Sequence, residues 1–313
     1  MAEQTSHAHT HTHTHALGPS TDRRLVVFAL VLILAFMLLE VALGVVAGSL
    51  ALLSDAGHML TDALALAMSL VVMRLAVRQP RGALTYGLRR TEILSGLANG
   101  IGLLVIAAVV VVEAIQRLVA PPVVEARLVL PVAVVGMGVS LLATWQLARA
   151  RRQSLNIRGS LQHLLTDLYG FTGTALAAVV ILLTGFMRAD ALASLVVAAV
   201  MLRTGWRLVR EAGAVLLEAA PEGLDADRVV GAMRSHYRVV NVHDFHLWEI
   251  TSGMPALSAH VLVAPGEDCH EVRRQLEHTL QHDFQIGHTT LQVDHAGGPD
   301  QLITPRHHST HPR

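Results

Sequence analysis

Two short runs in this chain pair a histidine with an aspartate one helical turn later. The first is Ser54-Asp55-Ala56-Gly57-His58-Met59-Leu60-Thr61-Asp62, the second Leu161-Gln162-His163-Leu164-Leu165-Thr166-Asp167. Residues four apart lie on one face of a helix. Two helices turning these faces together present two imidazoles and two carboxylates: His58, Asp62, His163 and Asp167. That N2O2 set suits a tetrahedral Zn2+. With the single cysteine, Cys269, far along the chain, thiolate-seeking Cu(I) is a poor fit. Asp55 precedes His58 by three residues and is placed to orient its imidazole, as metal-bound histidines require. An isolated histidine or aspartate in an apolar helix often only hydrogen-bonds a neighbouring helix. Here there are four, in two copies of one spacing. Each aspartate costs roughly 2.5 to 3.5 kcal/mol to insert at a helix centre, and one divalent cation answers both. No His-Glu-x-x-His motif accompanies them, which removes a metalloprotease.

The segments that carry these runs are built for a bilayer. The 313 residues are 52% hydrophobic and only 15% charged, against about 25% charged in a soluble domain. About 20 consecutive apolar residues cross the hydrocarbon core. Six stretches qualify: 26–47, 50–77, 93–119, 128–148, 161–186 and one from about Asp190 to Arg210. The last ends in Arg203, Arg207 and Arg210, which can snorkel to the interface. All 24 basic residues are arginines, and their placement sets the orientation. Arg23 and Arg24 precede the first span. Arg78, Arg81, Arg89 and Arg90 fill the second loop, and Arg149, Arg151, Arg152 and Arg158 the fourth. Both termini are therefore expected on the cytoplasmic side. The first span is longer than a signal-peptide core and is interrupted by Glu40 without a convincing cleavage site.

The chain divides into four segments. Residues 1–22 form a tail in which His7, His9, His11, His13 and His15 alternate with small residues. This pattern is too polar to fold alone and reads as a metal-collecting tether. Residues 23–211 hold the six spans. From 212 to 296 hydropathy falls, and alternation predicts helix 224–237, strands 243–251 and 255–264 about a Ser252-Gly253 turn, helix 268–284 and strand 288–294. That is an αββαβ, ferredoxin-like α+β domain with its helices on one sheet face. Residues 297–313 read as a disordered tail. The 24 basic and 24 acidic residues cancel, which argues against a nucleic-acid partner, and one cysteine excludes a disulfide framework.

The sequence resembles the cation diffusion facilitators, in particular their zinc-transporting branch, from about Leu25 to His295. The resemblance rests on five blocks in order: Gly48 to Asp62, Thr85 to Leu94, Asn156 to His163, Met187 to Ser194 and Val242 to Trp248. It implies a homodimer in the bacterial inner membrane that exports Zn2+ from the cytoplasm in exchange for protons, with Cd2+ or Co2+ as secondary substrates. It assigns the transport site to His58, Asp62, His163 and Asp167, the four that spacing selects. Relatives also bind metal in the cytoplasmic domain, at positions matching His243, His260 and Asp294. There one expected histidine is Gln292, and His246 and His288 lie near enough to substitute. A further metal site of some relatives, in the loop after the second span, is expected to be absent, since Arg78 to Arg90 contains no His, Asp or Glu.

Glu40 and Asn99 are polar groups inside spans one and three, as suited to packing as to an ion path. Asn156 opens the fifth-span motif in a position to cap that helix. The expected activity is alternating access around a midplane site, with zinc and protons as the exchanged ions and no enzymatic step. The competing reading is a membrane-tethered metal sensor that binds without flux.

Overall fold

The computed structural model describes residues 19–47, 50–121, 126–149 and 155–297. Within these, the side chains of 19–22, 43, 44, 46, 47, 50–58, 61 and 128 lie outside the description, Asp55 and His58 among them. The histidine-rich segment His7 to His15 and the tail from 298 onward also lie outside it.

Six long helices come first: α1 (Pro19–Ala47), α2 (Leu50–Ala76), α3 (Thr91–Val119), α4 (Ala126–Leu147), α5 (Leu155–Thr184) and α6 (Ala189–Leu216). Over the described residues, α1 and α3 to α6 are long and apolar enough to cross a membrane. The sixth, α2, carries Asp62 and Arg74 inside its length. Helix α5 is the hub, packed against α2, α3, α4 and α6, while α1 leans on α2 and α4. Outward faces are apolar, as at Val31, Leu38, Val105, Leu141, Leu183 and Val196, because lipid tails and not water meet them.

Helix α3 packs most extensively on α6, and two glycines make this close approach possible. A Cβ on Gly205 would lie 2.9 Å from the Gly100 carbonyl oxygen, and one on Gly100 would lie 3.1 Å from the Gly205 oxygen. Both neighbours are backbone and neither can swing away. Small residues at such crossings allow the tight packing that holds helices together in lipid. Gly205→Leu is therefore expected to destabilise the bundle by about 1–3 kcal/mol through overpacking. Detergent-phase unfolding monitored by circular dichroism measures it.

Two helix boundaries differ from the expected ones. Helix α5 begins at Leu155, six residues before the apolar stretch, because Asn156 and Ser160 are buried in the bundle and satisfied there. Asn156 is thus an internal helix residue and not a cap. Helix α6 runs to Leu216, past Glu211. Glu211 stays helical because it pairs with Arg207 one turn earlier.

The remaining elements are α7 (Ala226–Arg234), β1 (Val239–Glu249), β2 (Pro255–Val263), α8 (Cys269–Phe284) and β3 (His288–His295). The sheet order is β1-β2-β3, with β1 and β2 antiparallel and β2 and β3 parallel. Side chains alternate across the sheet. Leu257, Ala259, Val261 and Val263 face the helices and pack with Val229, Met233, Val272, Leu276 and Leu280. Aspartate caps open both helices: Asp225 accepts from the Asp227 N–H, and Asp268 from those of His270 and Glu271. The Glu271 N–H, foremost, holds the Asp268 carboxyl below its ordinary pKa.

This αββαβ unit touches the helical bundle at defined points. In the connection from α6 to this unit, Glu218 pairs with Arg90 at 3.2 Å. The β1–β2 turn supplies two bonds: Thr251 Oγ1 donates to the Arg89 carbonyl at 3.1 Å, and the Leu155 N–H donates to Ser252 Oγ at 3.0 Å. The first residue of α5 is thereby capped by a serine from the other domain.

Candidate metal centre

Asp62 on α2 and His163 on α5 meet inside the bundle. Asp62 Oδ1 lies 3.4 Å from His163 Nδ1, with the two side chains 12% and 8% exposed. Tetrahedral zinc with bonds of about 2.0–2.2 Å spaces neighbouring ligand atoms about 3.3–3.5 Å apart. The observed separation therefore fits one edge of such a tetrahedron. Asp167 follows His163 by one turn of α5 and is half-buried. His58 precedes Asp62 by one turn of α2. The structure thus brings Asp62 and His163 together. Among the described residues no group of three or more His, Cys, Asp or Glu side chains is gathered closely enough to hold a metal ion.

A buried polar cluster, not foreseen from the sequence, supports this pair. Ser69 and Ser95 both donate to Asn156 Oδ1, at 2.9 and 2.6 Å, and Asn156 Nδ2 donates to the Ser69 carbonyl at 3.3 Å. The Ser69 and Ser160 hydroxyls are 2.5 Å apart. All four residues are at most 3% exposed, so helices α2, α3 and α5 are tied at one level. Ser69 follows Asp62 by seven residues and Asn156 precedes His163 by seven, or about 10 Å along each helix. The cluster therefore sits between the aspartate–histidine pair and the αββαβ unit. Asn99 is buried nearby, its Nδ2 without a hydrogen-bond partner among the described residues. A Cβ on Gly159 would lie 2.8 Å from that nitrogen, so Asn99 fills the space against α5. Glu40 is likewise buried, at 1% exposure.

In the αββαβ unit the open sheet face gathers some of the expected histidines. His243 and His260 are cross-strand partners, with ring centroids 5.4 Å apart. Asp244, at φ 50°, sits in an irregularity of β1 between His243 and His246. Its carboxylate lies 3.2 Å from His246 Nε2 and 3.8 Å from His260 Nε2. Strict alternation would put Asp244 on the opposite face from His243, and the bulge redirects it. Gln292 is the register partner of His260 on β3, and its Nε2 donates to Asp294 Oδ2 at 2.9 Å. His288 lies apart. It pairs in register with Ala256, four positions from Gln292, and packs edge-on against Tyr86 with centroids 5.8 Å apart.

Residues 26–217 match the family model described as the cation efflux transmembrane domain, and residues 221–296 match that of the cation efflux protein cytoplasmic domain. The chain is 38% identical over 283 residues to "Zinc transporter ZitB" of Escherichia coli, covering 89% of this chain and 90% of the relative. It is 34% identical over 278 residues to "Cadmium, cobalt and zinc/H(+)-K(+) antiporter" of Bacillus subtilis, covering 87% and 89%. It is also 34% identical over 278 residues to "Metal cation efflux system protein CzcD" of Cupriavidus metallidurans, covering 88% of each.

Proposed function

The chain belongs to the cation efflux, or cation diffusion facilitator, family, and from that premise we propose that it exports Zn2+ from the cytoplasm in exchange for protons. The observation that carries this reading is the Asp62–His163 pair, whose 3.4 Å spacing across two helices fits an edge of a tetrahedral zinc shell. His58 and Asp167 complete the set, each one turn from a member of the pair, and Asp55, three residues before His58 in the sequence, is the group assigned to orient its imidazole. Cd2+ and Co2+ are secondary substrates, in keeping with the names of the relatives. The protein is an integral membrane transporter working as a homodimer. We place it in the bacterial inner membrane with both termini cytoplasmic.

Exchange follows from the ligands themselves. An imidazole binds metal only when neutral, so protons compete for the same lone pairs. Acidity outside therefore favours release of zinc and loading of protons. The two carboxylates offset the charge of the cation while it is inside the bundle. Expression in a bacterium stripped of its own zinc exporters tests the activity. Restored growth on toxic zinc is expected. Unrelieved toxicity, in cells that hold folded protein in the membrane, would favour the sensor reading.

The histidines outside the bundle serve regulation. His243, His260 and Asp294, with His246 and His288 as accessory groups, bind zinc in the cytoplasmic domain. The tail from His7 to His15 raises the local metal concentration by tethering five imidazoles near the entrance. Deleting residues 1–15, or replacing both His243 and His260 by alanine, should raise the zinc concentration for half-maximal flux several-fold. The maximal rate should stay nearly unchanged. Loss of flux at saturating zinc in either folded variant would put these histidines in the conduction path.

A further inference from the structure

The facing ends of α5 and α6 enclose a notch of about 100 Å³ lined by Arg158, Gln162, Arg203, Thr204, Arg207 and Glu211. Three guanidiniums meet one carboxylate there. Glu211, 15% exposed, holds two of them, accepting from Arg158 Nη2 at 3.1 Å and from Arg207 Nε at 2.7 Å. Arg203 has neither a hydrogen bond nor an ion pair among the described residues. The lining therefore carries more positive than negative charge, with Glu222 offsetting part of Arg207, and the Arg203 guanidinium is available to an outside anion.

The setting identifies that anion. Leu192, Val196, Ala199, Arg203, Trp206 and Arg210 recur at intervals of three or four and are all exposed, so they form one outward stripe of α6. The stripe is apolar until Arg203, and Trp206 beside it is 63% exposed. Tryptophan next to arginine at the end of an apolar face marks the level of lipid headgroups. Helix α6 leads from here into the cytoplasmic domain, so the notch opens onto the cytoplasmic leaflet, whose surface is anionic. Arginine binds phosphate oxygens through paired N–H donors in a geometry that a lone ammonium does not reproduce.

We infer that this notch binds the phosphodiester headgroup of an anionic phospholipid of the cytoplasmic leaflet, with Arg203 as the contact Glu211 does not neutralise. The acyl chains then run along the Leu192–Trp206 stripe. The lipid spans from Arg203 on α6 to Arg158 at the start of α5, the helix that carries His163 and Asp167. The inference is independent of which metal the transporter carries.

The test uses the full chain in nanodiscs of phosphatidylcholine containing a minor fraction of spin-labelled phosphatidylglycerol. Wild-type protein is expected to immobilise the labelled lipid several-fold above its share of the bilayer. Arg203→Gln should remove most of that excess, and Arg203→Lys should restore only part of it. Zinc flux of Arg203→Gln in pure phosphatidylcholine vesicles should match the wild type, which shows the variant folded. Equal lipid retention by wild type and Arg203→Gln overturns the site. So does an equal loss on Arg149→Gln, which removes a charge from the same side of the membrane and would mean diffuse attraction. Displacement of the labelled lipid by millimolar inorganic phosphate would show that the notch takes a soluble anion, and also overturns the proposal.

Discussion

Replacing Asp62 or Asp167 by alanine is expected to reduce zinc flux to the leak rate of empty vesicles while the protein stays folded and inserted. Each change removes one of four proposed ligands, and the one other carboxylate on α2 or α5, Asp55, is already assigned to orienting His58. Asp62 is the stronger case, because its oxygen lies 3.4 Å from His163 Nδ1 and alanine removes the carboxylate that faces that imidazole. A partial rescue by Asp167→Glu but not Asp167→Asn would identify the lost property as charge and coordination. Wild-type flux in reconstituted Asp167→Ala would remove that residue from the site.

The second large effect is expected at Asn156. Its carboxamide joins Ser69, Ser95 and α5 through three hydrogen bonds. Interhelical hydrogen bonds in membranes average about 0.6 kcal/mol each, up to about 1.7, and an abandoned buried hydroxyl costs about 1–3 kcal/mol. Asn156→Leu should therefore destabilise the protein by about 2–4 kcal/mol, read from unfolding in detergent. Asn156→Asp keeps the acceptor and should cost less when protonated. The cluster also closes the bundle between the aspartate–histidine pair and the cytoplasmic domain. Helices α2, α3 and α5 must part there for an ion to pass from that side, so transport in Asn156→Leu should fall or lose its tight coupling. An unchanged unfolding midpoint would show that the cluster contributes nothing to the bundle.

The pair Asp62 and His163 was legible in the sequence because each sits in a helix-period repeat, where four residues mean one turn. The six long helices were legible for a similar reason, since hydropathy is a local quantity. The start of α5 was not. Asn156 and Ser160 look like loop residues until Ser69 and Ser95, 61 to 91 positions away, are placed against them. The open face of the cytoplasmic sheet shows the same limit. His243 opposite His260 follows from hairpin register, but Asp244 reaches His246 and His260 only through a bulge. His288 sits on the open face, yet the parallel register leaves it beside Tyr86 and away from the other histidines. Long-range polar partners and register carry no local periodicity.

The central claim is exchange of zinc for protons through the site that contains Asp62 and His163. Proteoliposomes with an acidic lumen, loaded with separate fluorescent reporters of zinc and pH, measure both ions at once. Addition of zinc outside should bring zinc in and protons out in a constant ratio, and both signals should vanish in Asp62→Ala. Zinc entry without proton movement would mean a channel. Zinc bound to the protein with neither signal changing would mean a sensor, and either result would contradict the account.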